Sequence, residues 1–238
     1  MRRWDIALAT VIGLAASSSS HTQEFVGLHA ADASRDLDVN GRMIPLRFGA
    51  AEIGYSAALK NGSVLVGALG RGYDRNVRSS FLSIDANGPA VCDVIRLGVS
   101  RPLYQSSQWT LDSGLEYRMQ RVQADLAGVH LEDSFRGEVV LRTHYLTPML
   151  TFKRLLHSQN HLFVQAGALN WHLSYHAYGE IERAKVWTQS GLHGWAPAVG
   201  VGGMFDLFIF RVVAQITAYR LNADNKVWVP GVSFVLTR

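Results

Sequence analysis

The stretch NWHLSYHAYG, residues 170–179, sets Asn170, His172, Ser174 and His176 on one parity and Trp171, Leu173 and Tyr175 on the other. Two imidazoles, a hydroxyl and an amide in one row could do chemistry. His172 could act as base toward Ser174, with Glu180 or Glu182 from the next segment orienting it, which describes a lipid-acting acyl hydrolase. His172 and His176, with His144, could instead hold zinc, whose imidazole ligands must converge to about 2.0–2.1 Å. The spacing argues against both. On an extended strand, i and i+2 neighbours lie about 6.5–7 Å apart at Cα, so contact is possible but unfavoured, and i and i+4 lie about 13 Å apart, too far for one ion. No catalytic residue, metal site or cofactor is therefore assigned.

The elements that carry these residues read as strands. In WTLDSGLEYRMQ (109–120), Trp109, Leu111, Leu115, Tyr117 and Met119 share one face and Thr110, Asp112, Glu116, Arg118 and Gln120 the other. That is period two over a length unusual for a soluble strand. Similar segments recur at 24–33, 43–58, 63–73, 91–103, 137–153, 161–176, 194–205, 208–221 and 227–237, which predicts ten strands. Short turns are expected at Lys60-Asn61-Gly62, 105–108, 157–160 and Asp206-Leu207, with long polar loops near 34–42, 74–90, 122–136 and 177–193. Short turns on one rim and long loops on the other predict an all-β, antiparallel transmembrane β-barrel of about ten strands. Eight is the alternative, with 24–33 as an extension outside the barrel. Tyr104, Trp109, Phe152, Phe163, Phe205 and Phe208 bunch at the short turns, while Tyr73, Trp171, Tyr175, Trp195 and Tyr219 lie toward the other strand ends, as two interfacial girdles would require.

The 238 residues are 48% hydrophobic and 18% charged, which excludes a disordered chain. The net charge of +4 is spread along the sequence with no basic run, so no nucleic-acid partner is expected. A single cysteine, Cys92, excludes an intramolecular disulfide and any multi-cysteine metal site. Arg2 and Arg3, the apolar run Ile6–Ala16 and the serines at 17–20 read as a secretory signal peptide over 1–20, leaving 21–238 as the barrel domain.

In two places the alternation changes phase. The apolar set of 137–153 runs Val139, Leu141, Thr143, Tyr145 and then moves to Leu150 and Phe152. That of 161–176 moves from Leu162, Val164, Ala166 to Trp171, Leu173, Tyr175. A β-bulge at Pro148, and another within Gly167–Asn170, is expected to reverse the faces. The lumen would then hold Asp112, Glu116, Arg118, Glu138, Arg142, His144, Asn170, His172, Ser174, His176, Arg211 and Gln215 as a structural polar network. Glu116 with Arg142, and Asp112 with Arg211, are the kind of pairs expected.

YLTPMLTFKR (145–154), LFVQAGALNW (162–171), PAVGVGGMFDLFIF (197–210) and PGVSFVL (230–236) together resemble the small outer-membrane barrel superfamily that includes outer membrane protein A and the opacity proteins. The resemblance covers 137–238. It implies a bacterial outer-membrane location in a Gram-negative cell, assembly by the barrel-assembly machinery, and contact with outer-membrane lipid and lipopolysaccharide. The region 145–169 also resembles lipid A deacylases, yet their His-x-Ser-Asn pattern on a late strand has no counterpart in 214–225. HLEDS (130–134) has acidic residues as an omptin-type protease rim does, with nothing else of that pattern. The expected role is thus non-enzymatic, structural or surface-interacting through external loops. The acyl hydrolase and a narrow, porin-like pore are the alternatives.

Overall fold

A computed structural model describes residues 19–31, 48–81, 84–130, 133–156, 160–181, 184–207, 210–220 and 226–236. It contains β1 (Ser19–Ala31), β2 (Phe48–Leu59), β3 (Val64–Phe81), β4 (Ile84–Gln105), β5 (Trp109–His130), β6 (Asp133–Leu155), β7 (His161–Ile181), β8 (Ala184–Leu207), β9 (Phe210–Arg220) and β10 (Lys226–Leu236). Each strand pairs antiparallel with its neighbours in sequence, and β1 pairs with β10, so ten strands close a barrel. The segment 24–33 is thus largely in the wall and not outside it. In the turn after β2, Gly62 takes φ 79°, a left-handed conformation that a side chain would strain. The expected signal peptide, save its last two residues in β1, and the loop at 34–42 lie outside the described residues.

The register fixes the barrel's dimensions. A row of paired residues that leaves β8 at Phe205 passes Val212, Val26, Ile53, Met119 and His172, and re-enters β8 at His193. That stagger of twelve residues over ten strands gives a tilt of about 40°, for ~3.3 Å per residue and ~4.8 Å between strands. Phe205 and Trp195 are both outward on β8, ten residues apart, hence about 25 Å apart along the axis. This is the height of a lipid-facing band.

The middle strands are far longer than such a band needs. A spanning strand takes about 9–11 residues, whereas β5 has 22, β6 23 and β8 24. The stretches 74–90, 122–136 and 177–193, expected as loops, are for the most part strand. They carry β3–β8 roughly 20–30 Å beyond the band as a curved sheet, least on β3 and most on β8. Among the described residues, β3 beyond Gly72 pairs only with β4, and β8 before Ala198 only with β7.

No bulge reverses the faces of β6 and β7. Their register is the same on both sides of Pro148 and of Gly167, and β7 pairs with β8 without a shift from His161 to Ile181. What changes is the medium. Within the band Leu150, Phe152, Leu162, Val164, Val199 and Val201 point outward, and Thr147, Thr151, Gln165 and Thr217 inward. Above it the composition inverts. Leu126, Phe135, Leu141, Leu173 and Tyr175 are buried inside, while Arg142, His172, His176 and Gln189 are outside. A wall in hydrocarbon must be apolar outside, and a wall in water must bury its apolar side. The backbone alternates without interruption through both.

Candidate functional site

Two polar groupings stand out, one inside the barrel within the upper half of the lipid-facing band and one outside it at the band's upper edge.

Inside, Glu52 on β2 is 2% exposed and faces Arg96 of β4 and Arg118 of β5. Arg96 Nε lies 3.1 Å from its carboxylate and Arg118 Nη2 3.6 Å; Arg96 also reaches Glu116 at 3.8 Å. Two carboxylates and two guanidiniums form a neutral quartet. The long inward reach of Glu52 depends on Gly70, its β3 partner, since a Cβ there would stand 2.6 Å from Glu52 Cγ. Above the quartet Gln120 Nε2 donates to Cys92 Sγ at 3.2 Å, and the apolar interior begins. Below it lies a cavity of about 290 Å³, lined among others by Asp112, Thr147, Lys153, Gln165, Gln215 and Thr217. Lys153 pairs there with Asp112, and at the short-turn rim Arg211 Nε donates to Asp206 at 2.6 Å.

Asp112, Glu116, Arg118, Arg211 and Gln215 therefore point into the lumen, but with other partners than expected. Glu116 meets Arg96 and not Arg142; Asp112 meets Lys153 and not Arg211. Glu52, Arg96, Lys153 and Asp206 were missed. The available signal for Glu52 was a lone carboxylate between the small inward residues Ala50 and Gly54 of a membrane strand, which demands a cation.

The second grouping corrects the sequence reading. Glu138, Arg142, His144, Asn170, His172, Ser174 and His176 do not line the lumen; they face outward, because the phase of β6 and β7 never changes. Cross-strand pairing arranges them in rows on the outer wall of β5–β8. The lowest row is Tyr117, Leu146, Asn170 and Trp195, the next Met119, His144, His172 and His193, and the third Arg121, Arg142, Ser174 and Gly191. Tyr117 Oη and His144 Nδ1 share a 2.8 Å hydrogen bond, and the His144 and His172 rings lie 6.3 Å apart. No hydrogen bond joins His172 to Ser174 among the described residues. Glu180 stands four rows above His172, so it cannot orient that ring. Among the described residues no group of three or more His, Cys, Asp or Glu side chains is placed to hold a metal ion.

At the short-turn rim Trp109 stacks on Phe152 with centroids 4.7 Å apart, and the Arg154 guanidinium lies 5.0 Å from the Trp109 ring centre. At the opposite edge of the band Tyr73 and Trp195 are outward and exposed. Two girdles about 25 Å apart bound an apolar exterior on a closed antiparallel barrel. The fold is that of an outer-membrane β-barrel.

Solved structures agree. The translocator domain of the autotransporter NalP from Neisseria meningitidis is similar over 98% of this chain and 96% of its own, with TM-score 0.55 and 11% identity. The outer membrane protease OmpT from Escherichia coli is similar over 90% of each chain, with TM-score 0.54 and 10% identity. No family model matches the sequence, and no curated protein matches it. An outer-membrane β-barrel fold shared by a protease and a translocator carries no activity of its own, so function must be argued from the site.

Proposed function

We propose that this protein resides in a bacterial outer membrane and acts without catalysis, as a membrane-anchored post whose outer wall and upper hairpins contact the cell's surroundings. One observation carries the reading: β3–β8 continue roughly 20–30 Å past the lipid-facing band with their polar side outward and an apolar interior. The interior argues against the narrow pore. The Glu52 quartet lies across the lumen within the membrane, and the Phe135, Leu141, Leu173 and Tyr175 cluster fills it above.

Surface labelling tests the placement. Gln189→Cys, on the exposed wall, should react on intact cells with a membrane-impermeant maleimide, while Leu150→Cys in the lipid band should not. Trimming the β5–β6 and β7–β8 hairpins to the top of the band should abolish adhesion of expressing cells to surfaces. Unchanged adhesion with the trimmed barrel still folded would sink the proposal.

A second reading is favoured by one observation: Asn170, His172 and Ser174 lie outward at the edge of the lipid band, where lipid ester bonds lie. In that reading His172 takes the Ser174 proton, the serine oxygen attacks the ester carbonyl, the lipid's hydroxyl leaves with that proton, and water then cleaves the acyl-serine ester to a fatty acid and free Ser174. Neither a His172–Ser174 hydrogen bond nor a carboxylate behind the imidazole supports it. Mass spectrometry of outer-membrane lipids from cells with wild type, His172→Ala or no protein decides between the two readings; an acyl chain lost only with wild type establishes the hydrolase.

A further inference from the structure

We infer that the outer wall carries a binding site for the phosphate of an outer-leaflet lipid, built by Arg121 of β5 and Arg142 of β6 beside Ser174 of β7. The inference rests on the membrane placement proposed above. Arg121 and Arg142 are direct cross-strand partners, and like charges set opposite each other in an antiparallel pair repel. Among the described residues, no carboxylate lies within ion-pair distance of either. The nearest acid on this face, Asp93 of β4, stands directly opposite Arg121 but is engaged by Arg71 on its other side at 3.6 Å, which leaves three guanidiniums to one carboxylate along this row; Asp125 and Glu138 are partners two rows higher. Arg121 Nη2 donates to Gln123 Oε1 at 3.2 Å, but its Nε is buried without an acceptor. Two opposed guanidiniums, one holding a buried unsatisfied donor, call for a shared anion with several acceptor oxygens. Phosphate fits that demand better than a carboxylate does.

Location identifies the phosphate's source. The rows slope with the ~40° strand tilt, so the band edge marked by Tyr73 and Trp195 crosses β5 near Arg121 and β6 near His144; Arg142 and Ser174 stand just above that edge, one row above His144 and His172. A phosphate seated on the arginines would hang its lipid chains down past those imidazoles onto Leu146, Leu150 and Phe152, all outward and exposed. Ser174 can donate its hydroxyl to the same phosphate. Its β8 partner is Gly191, where an added Cβ would meet only a carbonyl at 3.7 Å, so that side of Ser174 is open to a headgroup. Free inorganic phosphate would gain the guanidiniums but nothing from the apolar wall beneath them.

The test uses the full-length protein in detergent, with thermal unfolding read by heat-dependent gel mobility. The probes are bisphosphorylated lipid A, the same lipid with both phosphates removed, and inorganic phosphate. Lipid A should raise the melting temperature of wild type, and Arg121→Gln/Arg142→Gln should need roughly tenfold more lipid or higher for the same shift. Arg121→Lys/Arg142→Lys should recover part of the loss. Equal titrations for wild type and the Gln pair would overturn the site, as would an equal response to the dephosphorylated lipid. Inorganic phosphate acting at the same concentration as lipid A would overturn the lipid assignment. If the Gln pair fails to fold, the exposed Arg142→Gln alone carries the comparison. A failed placement is read separately, by absence of labelling at Gln189→Cys with the titration intact.

Discussion

At the residue scale, exposure and partner decide what each charge is worth. Glu52 is sealed among arginines, so Glu52→Gln leaves Arg96 and Arg118 as buried cations short of a counter-ion. A loss of about 3–5 kcal/mol is expected, measured as a shift in urea-induced unfolding in lipid vesicles. Gly70→Ala should cost less, about 1–3 kcal/mol in the same assay, because Glu52 must swing away from the new methyl. His172→Ala is the contrast. Its ring stands in the open on the outer wall, and its removal should change stability by no more than ~0.5 kcal/mol. A loss of several kcal/mol there would mean that the ring is packed inside after all.

At the element scale, β6 and β7 each work in two media, and substitutions should report which medium a position meets. Leu150 is outward near the middle of the lipid band, so Leu150→Arg should cost about 2–4 kcal/mol in vesicle unfolding. Leu173 is inward and 1% exposed above the band, so Leu173→Ala should cost about 2–5 kcal/mol, although it has the same parity as the polar lumen residue Gln165. The sequence reading, which reverses the faces at a bulge and turns Leu173 toward lipid, predicts instead that an alanine there is nearly neutral. The strands and their alternation were legible because period two is set by the backbone. The facing was not legible for 137–147 and 170–181, because an inverted composition on an unbroken strand looks the same in sequence as a one-residue bulge.

At the scale of the whole molecule, ten strands close the barrel in the membrane and six continue above it. The lower lumen is a small polar cavity and the upper interior is apolar, with the Glu52 quartet at the junction. No conductance steps are expected when the protein is reconstituted in a planar bilayer, and Glu52→Ala should not open any, because the apolar cluster above still fills the interior. Steps from wild type would contradict the packing of Leu141, Leu173 and Tyr175. Protease added to intact cells should cut, if anywhere, in the connections above the band, and the protected remainder should keep its folded mobility.

The sequence by itself determined that the chain is all-β, that its strands number about ten with eight as the alternative, that short turns lie on one rim, and that aromatic rings mark it. Each of these is written in local order: alternation, Asn-Gly at a turn, rings beside turns. It also placed Asp112, Glu116, Arg118 and Arg211 inside, since within the lipid band polar means inward. Only the tertiary structure decided where the membrane ends on each strand. That boundary depends on register and tilt around the whole barrel, quantities that no single strand contains. With it went the facing of Arg142, His144, His172, Ser174 and His176, whose polarity is the ordinary surface of a wall in water, and the partnership of Glu52 with arginines 44 and 66 residues further along the chain.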